Sequence, residues 1–285
     1  LLREQKKFHI FHHKKNFVCI TRKILKDKKD KIGYMKTYQI DNDVIKDFEE
    51  IKPVANELLD IINTEEWSVG YNNLLLLQKI KEIKSGVFVQ CGVFRGWTLV
   101  PALLYCKKYN YDIEFHGFDT FGGFPGDVVS NSNDEPTQFI DLFENGAIDQ
   151  EHFDKAKERT NNFKGLNHLS EEYFSNVGNV LTFESYFSDL FVKYHQGTFS
   201  ETTKNFNKEI DILHLDCDLY QSYLDVLNNL YKNVKQGGSI IFDEYYSLKY
   251  PGARIAVNEF FFNQPVDRFE KYITQDSFER WCVVK

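Results

Sequence analysis

The chain predicts an α/β fold, a mostly parallel sheet with helices on both faces, and three observations carry that prediction. Short apolar runs alternate with segments of helical periodicity from Gly86 onward, the rhythm of strands joined by crossover helices. Glycines follow the first of these runs at once, where a tight turn leads into a helix. Two strand-like segments at the C-terminus are separated only by a polar turn, too short for a crossover, so they pair antiparallel. Apolar residues at 42% and charged residues at 27% of the 285 allow a sizeable core and exclude wholesale disorder.

The first 31 residues hold eleven Lys or Arg against three acids, a local balance of +8 that leaves -15 for the rest of a chain totalling -7. No clean period runs through them, so residues 1–40 read as a basic arm, mobile or loosely packed on the acidic body. A contact with a phosphorylated glycan carrier or anionic lipid, or the remnant of a lost neighbouring domain, is the sharper alternative. Leu1 in place of Met marks a trimmed start or a piece of a longer polypeptide. His9, His12 and His13 have no Cys or acidic partner there, which argues against a metal site.

Val44, Ile45, Phe48, Ile51, Leu58, Leu59 and Ile62 recur at three and four residues, an amphipathic helix over Asp41–Asn63 with a break allowed at Pro53. Leu74, Leu75, Leu77, Ile80 and Ile83 define a second over Asn72–Ile83, and both cover a sheet face. Five strands are expected at Gly86–Gln90, Ile113–Phe118, Leu190–His195, Ile210–Leu215 and Ser239–Phe242. Helices are expected at Trp97–Tyr109 and Ser222–Val234, the latter stopped by Gly237-Gly238. The tail strands are Asp267–Ile273 and Arg280–Val284. Between Gly126 and Asp189 the rhythm fails in a long polar stretch with helices around Gln150–Arg159 and Glu171–Asn176, more chain than an ordinary loop needs. Residues 41–285 therefore form one domain, with 126–189 a lid-like insertion or substrate wall.

The acidic body excludes a general nucleic-acid binder. Cys19, Cys91, Cys106, Cys217 and Cys282 are odd in number and form no CxxC, the usage of reduced thiols in a cytoplasmic protein. Runs such as Leu74–Leu77 are far too short for a membrane span, and no apolar segment follows the basic start to make a secretion signal. Phe260-Phe261-Phe262 suits either a core or a homo-oligomer interface.

Three constellations carry chemistry. In Gln90-Cys-Gly92-Val-Phe-Arg95-Gly96, a strand ends in glycines and a helix begins, so backbone N–H groups can approach a ligand closely. Its Gly-x-x-x-Gly spacing is not the G-x-G-x-x-G of a dinucleotide fold, which favours a ligand without a pyrophosphate. Asp119 ends the second strand 23 residues beyond Gly96, where doubly wound folds hold a ribose; alternatively it caps the turn at Gly122-Gly123. The third is the most specific. With neighbouring fourth and fifth strands about 4.8 Å apart, Asp216, Asp243 and Glu244 meet at the carboxyl edge of the sheet. Three carboxylates there repel one another unless a hard cation such as Mg²⁺, Ca²⁺ or Mn²⁺ joins them, the alternative being solvated loop acids. His214 shares the strand side of Asp216 and reads as packed more readily than catalytic.

In this order VQCGVFRG, FHGFDTFGGFP, YHQGTFSET, HLDCDLYQS and GGSIIFDEYYSLKYPGARIAVNEF resemble the macrocin O-methyltransferase (TylF) family, class I enzymes dependent on S-adenosylmethionine (SAM). The resemblance covers Tyr71 to the C-terminus apart from much of the 126–189 stretch, and FERWCVVK resembles the family's antiparallel last strand. It implies a Rossmann-like, seven-stranded sheet. It also implies that Gln90, Gly92, Arg95 and Gly96 surround the methionine part of SAM, that Asp119 and Thr120 hold its ribose, and that Thr198 and Phe199 lie near its adenine. Asp216, Asp243 and Glu244 would bind Mg²⁺ and orient the hydroxyls of a sugar or glycan acceptor. Two departures stand out: the family has an acid where this chain has Gln90, and two aspartates where it has Asp243-Glu244. An amide still accepts a hydrogen bond from the SAM ammonium but without charge, and glutamate keeps its charge one methylene farther out.

The expected reaction is methyl transfer to a sugar oxygen, with Asp216 as the base. Heavy use of Lys, Asn, Phe and Tyr suggests an AT-rich genome and directs the expectation to a surface-glycan sugar over an antibiotic. Trp67, Trp97 and Trp281 offer faces for sugar stacking, with core packing as the simpler role. The rivals are an NAD-dependent oxidoreductase, disfavoured by the glycine spacing, and a binding protein on a degenerate methyltransferase fold, motivated by Gln90.

Overall fold

The computed structural model of the chain describes residues 37–62, 68–164, 186–262, 264 and 266–285. Eight strands form one sheet: β1 (Thr37–Tyr38), β2 (Ser85–Cys91), β3 (Asp112–Asp119), β4 (Phe191–Gln196), β5 (Ile210–Leu215), β6 (Val234–Phe242), β7 (Arg268–Ile273) and β8 (Glu279–Val284). Their spatial order is β1-β7-β8-β6-β5-β2-β3-β4. All pairings are parallel except those of β8, which runs antiparallel to both β6 and β7.

Alternation along the central strands assigns the two cores. Phe88, Phe115, Ile212 and Ile241 face one side and pack with α1 (Asn42–Ile62), α2 (Asn73–Ile83) and α3 (Leu99–Tyr109) through Phe48, Leu74, Leu77 and Leu103. Val89, Phe118, Leu213 and Ile240 face the other and pack with α8 (Tyr220–Leu230) and α9 (Pro251–Phe260) through Tyr223, Leu227, Ala253 and Val257. Each fully buried Leu or Phe of these layers contributes about 1.5–3 kcal/mol. Between β3 and β4 the chain forms α4 (Gly126–Val129), α5 (Gln138–Glu144) and α6 (Gln150–Arg159), and α7 (Phe199–Thr202) follows β4. The helices α5 and α6 are docked, not loose: Phe139, Leu142, Ile148 and Ala156 pack with Leu248 and Ile255. The expected helix at Glu171–Asn176, Trp67, Cys19 and the three N-terminal histidines lie outside the described residues.

Three expectations change. The sheet has eight strands, not seven, because Thr37 and Tyr38, assigned to the arm, pair with Lys271 and Tyr272 of β7. A two-residue strand has no period to read. Gly237-Gly238 does not end a helix; α8 stops at Leu230, a 3₁₀ turn covers Tyr231–Asn233, and both glycines lie inside β6. There the register shifts, with Ile210 opposite Val234 but Ile212 opposite Ser239. The extra residues bulge out of the ladder, and Gly237 at φ +81 takes the turn a side chain resists. Pro53 lies inside α1 without ending it. The phenylalanine triplet divides: Phe261 enters the core and Phe262 is exposed. Cys91, Cys106, Cys217 and Cys282 are free and buried, and burial pushes the Cys106 thiol up to about 12. Among the described residues, no helix is long and apolar enough to cross a membrane.

One ion pair ties α2 to the β7 edge. Lys79 donates to Glu270 at 2.7 Å with side chains 3% and 2% exposed. Tyr272 and Arg268 also donate to this carboxylate, at 2.9 and 2.6 Å. Burial alone pushes Glu270 up, but the Lys79 hydrogen bond and charge, then Arg268 and Tyr272, outweigh it and hold the carboxyl at about 2. A carboxyl depressed in the folded state stabilises above its unfolded value, so this contribution is lost as pH falls from about 4.5 toward 2. Lys79→Met leaves a buried carboxylate short of a partner and is expected to cost about 3–5 kcal/mol at neutral pH, read by urea unfolding. A loss under about 1 kcal/mol would show that Arg268 alone satisfies Glu270.

Candidate active site

Backbone ladders carry the functional carboxylates to one edge. Asp216 donates its N–H to the Cys91 carbonyl and Asp243 donates to Leu215, each at 2.9 Å, so the residues just past β5 and β6 continue the sheet side by side. The turn after β2 must pass close by. Gly92 sits at φ +93, and a Cβ there would lie 1.7 Å from the carbonyl oxygen of Asp216. Only glycine fits.

Asp216, Asp243 and Glu244 bring carboxylate oxygens within 4.8 Å of one another. Thr98 donates to Asp216 and Asn72 to Asp243, both at 3.4 Å. The Tyr223 hydroxyl donates to Glu244 at 2.7 Å, and the Asp218 N–H reaches the same oxygen at 3.3 Å. Burial pushes Asp216 well above the usual carboxylate range, and the charges of Asp243 and Asp218 add to it. Glu244 is likewise raised by burial, then by Asp218 and Asp243. Asp218 rises to about 7 by burial and by Asp243. Groups this crowded are the donor set a hard divalent cation takes.

Two cavities meet at this edge. The first, of about 320 Å³, is lined by Gly92, Asp119, Thr120, Thr198 and Phe199, with Asp216 in its wall. The second, of about 400 Å³, is lined by Asp216, Asp243, Glu244 and Trp97 among others. Phe94, Asp216 and Asp218 belong to both.

Gln90, Arg95 and Gly96 are not on either wall. Gln90 is buried behind the turn, its amide N–H donating to Gly92 at 2.9 Å while Oε1 is buried without a partner. Arg95 is buried with its guanidinium over the Phe94 ring at 5.1 Å. Gly96, at φ +83, donates to Val93 and shapes the approach to α3. Asp119 accepts the N–H groups of Val93, Phe94 and Phe121, all at 2.8 Å, so it fixes the glycine turn from the neighbouring strand as well as facing the first cavity. His214 is buried opposite Gln90 in the β2–β5 register, its Nδ1 lacks a partner, and burial depresses it to about 4, which keeps it neutral. Trp97 lines the second cavity edge-on to Phe94 at 5.2 Å, whereas Trp281 is core.

Sequence reasoning missed Asp218, Phe94, Thr98 and Asn72. Asp218 stands in the quoted HLDCDLYQS string and repeats the acid at a spacing of two, a readable signal. At φ +59 its backbone turns away from β5, which is why strand alternation does not place it. Asn72, from the loop before α2, had no local signal.

Residues 75–275 match the family described as Macrocin-O-methyltransferase (TylF). The chain belongs to that family. Among solved structures, the O-methyltransferase NovP is 22% identical with a TM-score of 0.53, over 75% of this chain and 78% of its own. A putative caffeoyl-CoA O-methyltransferase from Staphylococcus aureus is 13% identical at 0.50, over 85% and 97%. The calicheamicin methyltransferase CalS11 is 17% identical at 0.44, over 80% and 91%. No curated protein sequence matches. The fold is the class I methyltransferase sheet, and the TylF-family chain is a SAM-dependent O-methyltransferase, which goes against the nicotinamide alternative.

Raised carboxyls have a measurable consequence. A group whose folded pKa is raised keeps a proton that the unfolded chain releases, so stability falls as pH rises toward that pKa. Asp218 and, in the packing of α9 against α8, Asp134 both stand at about 7, pushed up by burial. His152, His195 and His214 are depressed to about 4 by burial and act oppositely, but only below their unfolded value of 6.5. The loss from the carboxyls runs from their unfolded value of about 4 up to about 7 and is opposed by the histidines below 6.5, so in chelator the melting midpoint is expected to fall as pH rises from about 6.5 through about 7. Added Mg²⁺ is expected to flatten that slope, which Asp243→Asn also reduces. A slope insensitive to both would contradict the coupled acid cluster.

Proposed function

We propose that this enzyme transfers a methyl group from SAM to a sugar hydroxyl of a glycan, glycoside or nucleotide sugar, with Mg²⁺ held by Asp216, Asp243 and Glu244. The observation that carries the reading is the place of Asp216, a carboxylate in the wall shared by the two cavities, beside the acid cluster of the second. SAM belongs in the first cavity, where it supplies a methyl carbon activated by its positive sulfur. A divalent cation supplies positive charge that lowers the pKa of a nearby hydroxyl.

The chain's own residues do the rest. Thr198 and Phe199 wall the adenine end, and Asp119 with Thr120 faces the ribose. Three of the roughly four lone-pair directions of the Asp119 carboxylate are filled by backbone N–H groups, which leaves one for a ribose hydroxyl. Gly92 admits the ligand close to the backbone. Gln90, Arg95 and Gly96 stand behind that turn and hold its shape, Gln90 by donating to the Gly92 carbonyl. Asp216 takes the proton of the acceptor hydroxyl as oxygen attacks the methyl carbon. With SAM bound, the carbon–sulfur bond would break with its electron pair going to sulfur, leaving a methyl ether, S-adenosylhomocysteine (SAH) and a protonated Asp216. Burial raises the Asp216 carboxyl, and the positive charge of a bound Mg²⁺ would offset that and leave the group ionised to accept the proton. Trp97 and Phe94 give the second cavity an aromatic wall of the kind sugar rings pack on, and Arg159, at the end of α6, lines it too. The buried thiols fit a cytoplasmic enzyme.

Asp216→Asn is expected to slow turnover about 100- to 10,000-fold while calorimetry finds SAM bound with little change. EDTA is expected to abolish turnover and Mg²⁺ to restore it. Full activity in chelator would contradict the metal role.

A further inference from the structure

The second cavity carries more than acids. Arg159, the last residue of α6, and Lys249, in the loop between the 3₁₀ turn Glu244–Tyr246 and α9, line the same walls as the carboxylate cluster. Among the described residues neither forms an ion pair or a side-chain hydrogen bond. Arg280, a third cation on that wall, is already paired with Asp276 at 2.7 Å, which answers its charge.

Lys249 is half-buried, and its ammonium is held below the ordinary lysine value, chiefly by burial and then by the charge of Arg159. The charge of Asp218 opposes that of Arg159 at Lys249, but neither cation makes a direct ion pair, so an anion that reaches both gains two charged contacts on one wall of the cavity. A neutral sugar needs no such pair, since its hydroxyls are served by acids, amides and aromatic faces. Lysine and arginine together suit a multiply charged oxyanion, Lys as a point charge and Arg as a planar fork.

We propose that Arg159 and Lys249 form a seat for a phosphate or diphosphate carried by the sugar acceptor, so that the substrate is a phosphate-linked sugar and not a free one. This rests on the methyl-transfer reading for the second cavity's role as acceptor site. The seat lies on α6 and the loop before α9, whereas the carboxylates lie at the strand ends, so one wall grips the carrier group while the other addresses the hydroxyl.

The test is calorimetric binding of four probes, in Mg²⁺ buffer, to the SAH-loaded protein and to Arg159→Gln/Lys249→Gln. The probes are inorganic pyrophosphate, uridine diphosphate, farnesyl diphosphate and glucuronate. Pyrophosphate is expected to bind the native protein and to lose about tenfold to a hundredfold in affinity in the double variant, the worth of one or two charged hydrogen bonds. Arg159→Lys/Lys249→Arg is expected to retain most of it, and a melting midpoint no lower than that of the native protein certifies the fold of each variant. Tighter binding of uridine diphosphate than of farnesyl diphosphate names a nucleotide carrier, and the reverse names a lipid carrier. Pyrophosphate binding that is absent, or equal in the double variant, overturns the seat. Glucuronate binding in place of pyrophosphate overturns it too, because the anion is then a carboxylate. If the seat fails while the protein still binds SAM and methylates a neutral sugar, the methyl-transfer reading stands. If pyrophosphate binds a protein that takes no SAM, that reading falls and the seat remains.

Discussion

Crowding of like charge at the carboxyl edge of the sheet is the constraint on which the site depends. Asp216, Asp243 and Glu244 lie within 4.8 Å, with Asp218 close enough to raise two of them further. Left to itself such a group costs folding free energy, because burial disfavours each charge and the neighbours disfavour it again. The sheet imposes the cost through its backbone: the ladder bonds from Asp216 to Cys91 and from Asp243 to Leu215 hold the two residues side by side at the strand ends. Tyr223, Asn72 and Thr98 each donate to a carboxylate of the cluster, but none brings a charge. A divalent cation does.

The same edge fixes the first cavity. Gly92 passes so near the Asp216 carbonyl that no other residue fits, and Asp119 holds the adjoining turn through three backbone N–H groups. The walls of the two cavities are thus joined by short backbone contacts, not by flexible side chains. That rigidity suits a reaction whose barrier is lowered mainly by alignment. The cores behind it serve the same end. Alternate residues of β2, β3 and β5 bury into helices on both faces, so the strand ends are held from two sides.

Much of this was legible in the chain because alternation and helical period are strong signals where elements are long. The strand at Ile210–Leu215 and the helix at Gln150–Arg159 have their expected bounds. The acid trio was found because neighbouring parallel strands bring their ends together whatever the loops do. What escaped depends on non-local or very short features. Thr37–Tyr38 joins the sheet with two residues, and Gly237-Gly238 looks like a helix stop because a bulge and a cap use the same backbone freedom. Asn72, Arg159 and Lys249 reach the second cavity from three separate segments, and no spacing in the sequence links them. Gln90, Arg95 and Gly96 sit behind the turn, which is support for the cavity wall and not the wall itself.

In the proposed mechanism the acid cluster and the shared Asp216 wall form one metal-dependent methyl-transfer centre. Its most direct test is a crystal structure of the protein with Mn²⁺ and SAH, using anomalous scattering to locate the metal. One manganese ion is expected on Asp216, Asp243 and Glu244, with SAH in the cavity of Gly92, Asp119 and Thr198. Manganese absent from the cluster while SAH fills its cavity would contradict it.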